Sequence, residues 1–422
     1  MIGGERKHIV VLGAGFGGIT AILKLYRRLR HHGLLAHYEL IIVNKNPQHL
    51  YTPALYEIAS IPKGEADAVC LKSSICIHIE DIIAPYPGIR FVGGRVKGLD
   101  PHARTITLES GEKLAFEYAV IALGSETNFF DIPGLEEYAC PIKTFEDAVR
   151  LRNRVEALVA STSGALRIVV GGAGATGVEL SAEFINFLCY MKEHVQTGKC
   201  QEEITLVEAG PEILSGFSHP IIKRARRRLE TPGVKILTNS TIQSVTPGTI
   251  ILTDGRTLPY HLLIWSGGVK PARVLSNFGL QSNAKGAIIV NEFLEARLPD
   301  GQAAPGIYAI GDCAGFINPK TGQLLPGNVP VAEAEGRLAA KNIAASILGQ
   351  GQKSFRPMTH YPFILAVGGK YAITDLVIVK FSGFLGWVLK QLVELRYLLF
   401  ILPWRKAWPM WLRSVYYGTR ND

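Results

Sequence analysis

The sequence predicts an α/β protein with two Rossmann-like domains, the second inserted in the first, followed by a C-terminal amphipathic helical tail. Two similar segments predict the two domains. Residues 8–43 and 167–208 each contain an apolar strand, a glycine-rich turn, a helix-length periodic stretch and a second apolar strand, which is the pattern of a right-handed βαβ unit. A third observation predicts the tail, since from Phe381 onward the sequence becomes aromatic, leucine-rich and basic.

Further strands are expected to complete the domains. Residues 116–124 and 262–268 resemble each other and are expected to close the two units, and residues 307–315 return the chain to the first domain. Residues 89–117 alternate and turn like small antiparallel strands. The predicted boundaries are 1–145 for the first part of the first domain, 146–285 for the second domain, 286–380 for the second part of the first domain, and 381–422 for the tail.

Length, composition and charge limit the class of protein. The 422 residues allow two or three domains at about 100–200 residues each. A hydrophobic share of 47% and a charged share of 19% exclude general disorder, and the net charge of +9 favours anionic partners such as nucleotides or an anionic membrane surface. The six cysteines form no C-x-x-C pair, which favours an intracellular, reducing compartment and predicts no metal site. The sequence shows no secretory signal and no uncharged apolar run of about 18–20 residues.

The two glycine-rich turns follow the spacing G-x-G-x-x-G directly after a strand. Their glycines are Gly13, Gly15 and Gly18 in the first turn and Gly172, Gly174 and Gly177 in the second. In this pattern the first glycine permits the tight turn, the second lets backbone N–H groups approach a pyrophosphate, and the third brings the helix close to the strand. One such motif is a weak signal, but two in the correct context predict two dinucleotide sites.

The residue after the second strand of each unit is expected to contact the ribose. Glu208 can accept hydrogen bonds from two ribose hydroxyls and would repel a 2′-phosphate, so the second unit is predicted to prefer NAD(H) over NADP(H). The first unit has Asn44 at this position, where an acid is usual, with Lys45 beside it. Asn44 can bond a ribose or be an ordinary turn residue.

Asp312 lies after the apolar strand that begins at Ile307 and is preceded by Gly311. An acid at this place can accept a hydrogen bond from a flavin ribityl hydroxyl, while neighbouring N–H groups face the pyrophosphate. The alternative is an ordinary helix N-cap. The flanking glycines favour the close approach of a ligand.

These motifs resemble the two-dinucleotide-binding-domain flavoproteins and, among them, the type II (non-proton-pumping) NADH:quinone oxidoreductases. The resemblance covers nearly the whole chain, and its more specific parts are Asn128-Phe-Phe with the Pro-Gly-Leu that follows and Thr176-Gly-Val-Glu179. It implies FAD in the first domain, NADH in the second, and a quinone as the electron acceptor.

The resemblance also implies roles for individual residues. FAD would be held by Gly13, Gly15, Phe16, Gly17, Gly18, Asn44, Lys45, Ala122, Gly124, Gly311 and Asp312, with Tyr51, Thr52 and Pro53 near the isoalloxazine. NADH would be held by Gly172, Gly174, Thr176, Gly177, Glu208 and Gly268. Glu179 would lie at the nicotinamide, close to the flavin, as the catalytic residue; alternatively it is a first-turn acid that opposes the helix dipole.

Two departures from the family pattern concern the acceptor and the flavin. The family's glutamine-containing run near the quinone is missing at residues 330–335, which leaves the use and identity of a quinone open, and Asn44 replaces an acid. The alternatives are a soluble NADH-dependent flavin reductase, a sulfide:quinone-like enzyme, or an idle nucleotide-binding relative. The sulfide reaction needs cysteines beside the flavin, and residues 358–376 contain none.

The tail is predicted to lie on a membrane surface. Its first helix has leucines and valines near a 3.5-residue period between Gly383 and Leu402, with Lys390, Glu394 and Tyr397 toward another side. Tryptophans then alternate with basic residues, which is typical of a helix in the headgroup plane. The basic residues expected to contact anionic lipid through the region 381–420 are Lys390, Arg396, Arg405, Lys406 and Arg413. The alternative is a helix packed on its own domain or at a homodimer interface.

Taken together, the sequence predicts a peripheral membrane flavoenzyme on the cytoplasmic face of the inner (plasma) membrane. A nucleic-acid partner is not expected, because the basic cluster at residues 224–228 has no interleaved aromatic residues.

Overall fold

The computed structural model describes residues 6–162, 164–195 and 202–419. The described strands, in chain order, are β1 (Lys7–Leu12), β2 (Tyr38–Asn44), β3 (Gln48–Leu50), β4 (Cys76–His78), β5 (Ile89–Gly93), β6 (Val96–Asp100), β7 (Thr105–Leu108), β8 (Lys113–Ala115), β9 (Tyr118–Ile121), β10 (Ser125–Thr127), β11 (Ala139–Pro141), β12 (Arg167–Gly171), β13 (Glu203–Val207), β14 (Lys235–Leu237), β15 (Ile242–Thr246), β16 (Thr249–Leu252), β17 (Thr257–Pro259), β18 (Leu262–Trp265), β19 (Val269–Pro271), β20 (Glu295–Arg297), β21 (Ala303–Ala309), β22 (Phe363–Ala366), β23 (Ala372–Asp375) and β24 (Lys380–Gly383).

The described helices, in chain order, are α1 (Phe16–His31), α2 (Leu55–Ser60), α3 (Ala68–Ile75), α4 (Ile79–Ile83), α5 (Leu135–Tyr138), α6 (Phe145–Ser161), α7 (Ala175–Val195), α8 (His219–Glu230), α9 (Val329–Ile347), α10 (Phe384–Ile401) and α11 (Trp404–Gly418). Short 3₁₀ turns occupy Leu34–Ala36, Thr52–Ala54, Arg273–Asn277 and Gly311–Cys313. The chain divides into two compact units. The first consists of the described residues within 1–49, 77–126 and 269–361, and the second of those within 50–76, 127–268 and 362–422.

The first unit is built on a six-stranded sheet with the order β20-β21-β9-β1-β2-β5. Strands β21, β9, β1, β2 and β5 run parallel, and only the edge strand β20 is antiparallel. The central residues of β1 and β2, 9–12 and 40–43, are continuously apolar and buried because both faces of such a sheet are covered. A small antiparallel sheet, β6-β7-β8, belongs to the same unit. The prediction of antiparallel strands over 89–117 is therefore wrong for β5, which pairs in parallel with β2. It is confirmed for β6, β7 and β8.

Helices α1 and α9 pack closely together in the first unit. A Cβ built at Gly336 of α9 would lie 2.5 Å from the carbonyl oxygen of Gly17 in α1, so only glycine permits this approach. The N-cap of α9 is Asn328, whose side chain accepts a hydrogen bond from the N–H of Val331 at 3.0 Å. The segment in which the family's glutamines are missing is therefore the first part of a well-capped helix that packs on the first glycine-rich turn.

The second unit is built on a five-stranded parallel sheet with the order β11-β18-β12-β13-β14. Two antiparallel sheets accompany it, β15-β16-β17 and β22-β23-β24. Because residues 127–268 of this unit lie between chain segments of the first unit, the predicted insertion of one Rossmann-like domain into the other is confirmed.

The predicted tail forms α10 and α11. Helix α10 packs on β23 and β24, and α11 packs on α10 and α3. Within the part of the chain that the structure describes, no helix combines the length and the apolar character that crossing a membrane requires.

Candidate functional site

The first glycine-rich turn has the geometry of a dinucleotide-binding turn. A Cβ at Gly13 would lie 2.2 Å from the carbonyl oxygen of Ala122, and one at Gly18 would lie 2.0 Å from that of Gly13. Gly15 differs, because among the described residues no atom lies within 4 Å of a Cβ built there. Two glycines are thus required by the protein's own backbone, whereas the exposed Gly15 faces an open space that a phosphate would occupy.

Asn44 at the end of β2 is bound to this turn. Its Oδ1 accepts a hydrogen bond from the N–H of Ala14 at 3.1 Å, and its Nδ2 donates to the carbonyl of Asn46 at 2.8 Å. The neighbouring Lys45 is exposed. Asn44 therefore holds the turn in place through one oxygen, as an acid at this position would, but without a negative charge.

His49, which the sequence analysis did not select, supports the same turn. It is buried, and its Nδ1 lies 2.7 Å from the carbonyl oxygen of Ala14. Burial lowers the pKa of His49 to about 4, although the bond to Ala14 acts in the opposite direction. The neutral ring thus donates its Nδ1–H to Ala14, and its edge contacts Phe16 with ring centroids 5.1 Å apart. A buried histidine that bonds a backbone carbonyl has no sequence pattern that would have revealed it.

Asp312 lies in the 3₁₀ turn after β21, with Gly311 at a φ of +64°. Its carboxylate accepts a hydrogen bond from the hydroxyl of Ser125, and the side chain fits against Gly327. The N–H of Gly311 is bound by the carboxyl of Glu335 on α9. Glu335 is buried, and burial raises its pKa to about 8. The Asp312 turn is thus fixed from α9 by a carboxyl that stands in the region of the missing glutamines.

The remaining residues predicted near FAD are divided between the units. Ala122 and Gly124 follow β9, and the N–H of Ala122 donates to Leu12 at 2.8 Å beside the first glycine-rich turn. Tyr51, Thr52 and Pro53 belong to the second unit, where the Tyr51 ring contacts Tyr397 of α10 with centroids 5.8 Å apart.

The second glycine-rich turn repeats the first. A Cβ at Gly172 would lie 2.3 Å from Gly267, one at Gly177 would lie 2.0 Å from the carbonyl oxygen of Gly172, and a Cβ at Gly174 has no described atom within 4 Å. Gly174 and Thr176 are exposed at the start of α7. The turn therefore offers the same open space in front of its second glycine.

Glu208 occupies the position equivalent to Asn44 and is bonded in the same way. Its Oε2 accepts from the N–H of Ala173 at 2.8 Å, and its Oε1 accepts from that of Gly210 at 2.8 Å. Each carboxylate oxygen retains a further lone pair that can accept a ribose hydroxyl. The carbonyl of Gly268, which follows β18, accepts a hydrogen bond from the N–H of Asn128 at 3.1 Å.

Glu179 in α7 belongs to a group of buried charged residues in the second unit. Its Oε1 accepts a hydrogen bond from the N–H of Ala366 at 3.4 Å. Burial raises the pKa of Glu179 to about 8, and this effect outweighs the opposite effect of the positive charge of Lys390. Lys390 of α10 forms an ion pair with Glu57 of α2, and both side chains are nearly buried. Glu394, one helical turn after Lys390, is also buried and accepts a hydrogen bond from Ser414 of α11. We call Glu57, Glu179, Lys390 and Glu394 the buried charge cluster.

The cluster has three carboxyl groups and one ammonium group. Burial by itself would lower the pKa of Lys390, but the carboxylates of Glu57 and Glu394 outweigh this effect and raise it. Burial raises the pKa of Glu394 to about 7. The cluster therefore keeps Lys390 charged, and burial favours the protonated carboxyl groups of Glu179 and Glu394 near neutral pH. The sequence analysis did not select Glu57, because its partner Lys390 is 333 residues away in the chain, and it placed Glu394 only on a side of the tail helix.

The lipid contact predicted for Lys390 of α10 is wrong. Glu394 and Tyr397, expected on another side from the apolar face, are buried together with Gln391 and Leu398, and Lys390 is directed inward. Several apolar residues are exposed instead: Phe384, Leu385, Leu392, Val393, Leu399, Trp404, Trp408, Leu412 and Tyr416. Lys390 thus cannot contact lipid, whereas Arg396, Arg405, Lys406 and Arg413 are exposed. The tail packs on its own unit and also presents an apolar, basic surface.

Two Rossmann-like units with equivalent glycine turns define an oxidoreductase of the two-dinucleotide-binding-domain class. The chain belongs to the pyridine nucleotide-disulphide oxidoreductase family, whose pattern matches residues 7–336. Among curated proteins it is 27% identical to an internal alternative NAD(P)H-ubiquinone oxidoreductase of Arabidopsis thaliana, covering 98% of this chain and 85% of the relative. It is 26% identical to the type II NADH:quinone oxidoreductase of Staphylococcus saprophyticus, covering 83% and 85%. These relatives confirm the predicted resemblance.

Solved structures confirm the fold. The structure of NDH2 from Plasmodium falciparum in complex with NADH is similar with a TM-score of 0.81 and 18% identity, covering 98% of this chain and 99% of that one. The sulfide:quinone oxidoreductase of Aquifex aeolicus is similar with a TM-score of 0.77 and 19% identity, covering 94% and 91%.

Proposed function

We propose that this protein is a type II NADH:quinone oxidoreductase that acts at a membrane surface. The observation that carries the proposal is the duplicated glycine turn, each copy with an open space before its second glycine and a polar side chain at the end of the neighbouring strand. The names of the relatives supply the acceptor class. FAD held by the first unit would supply the two-electron redox chemistry between NADH and a quinone.

The first unit fits FAD. The backbone N–H groups around Gly15 and the start of α1 would face the pyrophosphate, and Asp312 would accept a ribityl hydroxyl while Ser125 and Gly327 hold its carboxylate. Asn44 would meet the ribose with its orientation fixed by Ala14. Because Asn44 is neutral, it does not compete with an anionic ligand for the adjacent, exposed Lys45.

The second unit fits NADH. The start of α7 with Gly174 and Thr176 would face its pyrophosphate, and Glu208 would accept the ribose hydroxyls. The charge of Glu208 would oppose the 2′-phosphate of NADPH. Glu179, the fifth residue of α7, has a raised pKa and would hold a proton at its carboxyl oxygen near the nicotinamide end of this site.

The membrane surface and the cytoplasmic face are parts of this proposal. The exposed Trp404, Trp408 and Leu412 of α11 and the exposed Arg405 and Arg413 are the combination expected for a helix in the headgroup plane. A quinone with a long chain would reach the enzyme from the lipid. NADH is a charged solute made inside the cell, so the donor site would face the cytoplasm.

Anaerobic reduction by NADH tests the proposal. The purified protein should be yellow, NADH should bleach it, and ubiquinone or menaquinone should restore the colour faster than a ferredoxin. If a ferredoxin or free flavin reoxidises the protein fastest, the protein is a soluble-type reductase instead. If NADH does not bleach the colour, the catalytic proposal is refuted.

A further inference from the structure

Exposed apolar residues project from the second unit between β23 and β24. We call residues 376–379 the hairpin tip. The exposed fractions are 41% for Leu376, 40% for Val377, 93% for Ile378 and 54% for Val379. Turns between antiparallel strands normally carry Gly, Asn, Asp or Pro, so four consecutive aliphatic residues are unexpected here.

The backbone of the hairpin tip is held in one conformation. The N–H of Val377 donates to Oδ1 of the buried Asp375 at 2.8 Å, and the N–H of Leu376 donates to the carbonyl of Val379 at 2.9 Å. Oδ2 of Asp375 forms an ion pair with Lys380 at 3.0 Å. Val377 has a φ of +75°, which is strained for a β-branched residue. Strain of this kind persists where the surrounding structure enforces it, often at functional sites.

The hairpin tip is continuous with the exposed apolar start of α10. Strand β24 has four residues, so about 13 Å separate the tip from Phe384. Phe384 and Leu385 are 58% and 70% exposed, and Phe384 stacks on Trp387. The side chain of Lys380, at the base of the tip, is half-exposed. An apolar protrusion is therefore flanked by a cation and extended by aromatic residues.

We infer that the hairpin tip inserts into the bilayer as a second apolar contact beside the tail helices. The inference rests on the proposed attachment to an anionic membrane. Lipid is favoured over a protein partner because the tip is purely aliphatic, whereas protein interfaces concentrate Tyr, Trp and Arg. Insertion is also inexpensive for the backbone, since the N–H groups of Leu376 and Val377 already have acceptors.

The test uses the full-length, FAD-loaded protein and vesicles of phosphatidylcholine with phosphatidylglycerol. The variant Ile378→Ser/Val379→Ser should bind the vesicles at least about tenfold more weakly than the wild type, since it removes apolar surface from the contact. High salt should not abolish this difference, because the lost contact is apolar. The control is Ile317→Ser, which changes a residue of the first unit that is 59% exposed. It should bind like the wild type, and all three proteins should unfold at the same temperature.

The outcomes separate the inference from the proposed function. If the wild type binds vesicles and the double variant binds equally well, the inference is overturned and the membrane enzyme remains. If the wild type does not bind vesicles at all, the proposed membrane attachment fails first. Light scattering without vesicles gives the molecular mass of each protein in solution. If the wild type is a dimer and the double variant is a monomer, the tip contacts a second copy of the chain and the inference is overturned.

Discussion

The ion pair between Lys390 and Glu57 should be essential for the stability of the second unit. Lys390→Met keeps the length of the side chain and removes its charge, so the variant leaves Glu57, Glu179 and Glu394 buried without a cation. Removing one partner of a buried pair costs about 3–5 kcal/mol. For a domain of this size, each kcal/mol lowers Tm by about 2–4 °C, so Tm should fall by roughly 6–20 °C. Arg396→Met, on the same helix but exposed, should change Tm very little.

The stability should also depend on pH in a defined direction. The raised pKa of Glu394, about 7, and of Glu179, about 8, means that the folded protein binds more protons than the unfolded chain above about pH 4.5. The free energy of unfolding should therefore fall as pH rises through the window from about 4.5 to 8, by up to about 1.4 kcal/mol per pH unit for each group. Because Lys390 lowers both pKa values, the deficit of Lys390→Met should be largest at high pH and shrink near pH 4.5.

The assay is thermal unfolding followed by circular dichroism at several pH values. A double-mutant cycle with Glu57→Gln completes it. The double variant should be less destabilised than the sum of the single variants, because neither charge is then left unpaired. A Tm of Lys390→Met within 2 °C of the wild type, or a deficit that does not change with pH, would refute the reasoning.

Three further predictions concern the cofactor sites and the tail. Gly15→Val should fold normally yet lose most of its flavin, whereas Gly18→Val should also destabilise the protein, because only a Cβ at position 18 meets the backbone, at 2.0 Å. Absorbance at 450 nm measures the flavin and Tm measures the stability, and normal flavin content in Gly15→Val would contradict the placement of FAD. Glu208→Gln should narrow the preference for NADH mainly by improving kcat/KM for NADPH, and a wild-type ratio near one would refute the role of Glu208. Arg405→Gln/Arg413→Gln should weaken binding to anionic vesicles by about 1 kcal/mol per residue at low salt and by little at high salt. Cosedimentation measures the binding, and a difference from the wild type that does not depend on salt would argue against an electrostatic contact.

The sequence by itself determined the two Rossmann-like units and their order. The apolar-strand and glycine signals of residues 8–18 and 167–177 are local in the sequence, and the third glycine of each turn also meets a nearby residue, Gly18 against Gly13 and Gly177 against Gly172. For the same reason Glu208 could be selected from its position after a strand. The role of Asn44 was open in the sequence, and its bond to Ala14 shows that it supports the turn.

Only the tertiary structure decided which side of α10 faces the protein. Leucines occur all around this helix, so the periodicity could not distinguish a core-facing side from an exposed one, and Lys390 was expected to contact lipid. Glu57, which is 333 residues earlier in the chain, provides the charge that makes burial of Lys390 favourable. A buried charge is stable only beside a partner, and a partner contributed by a distant segment leaves no local pattern in the sequence.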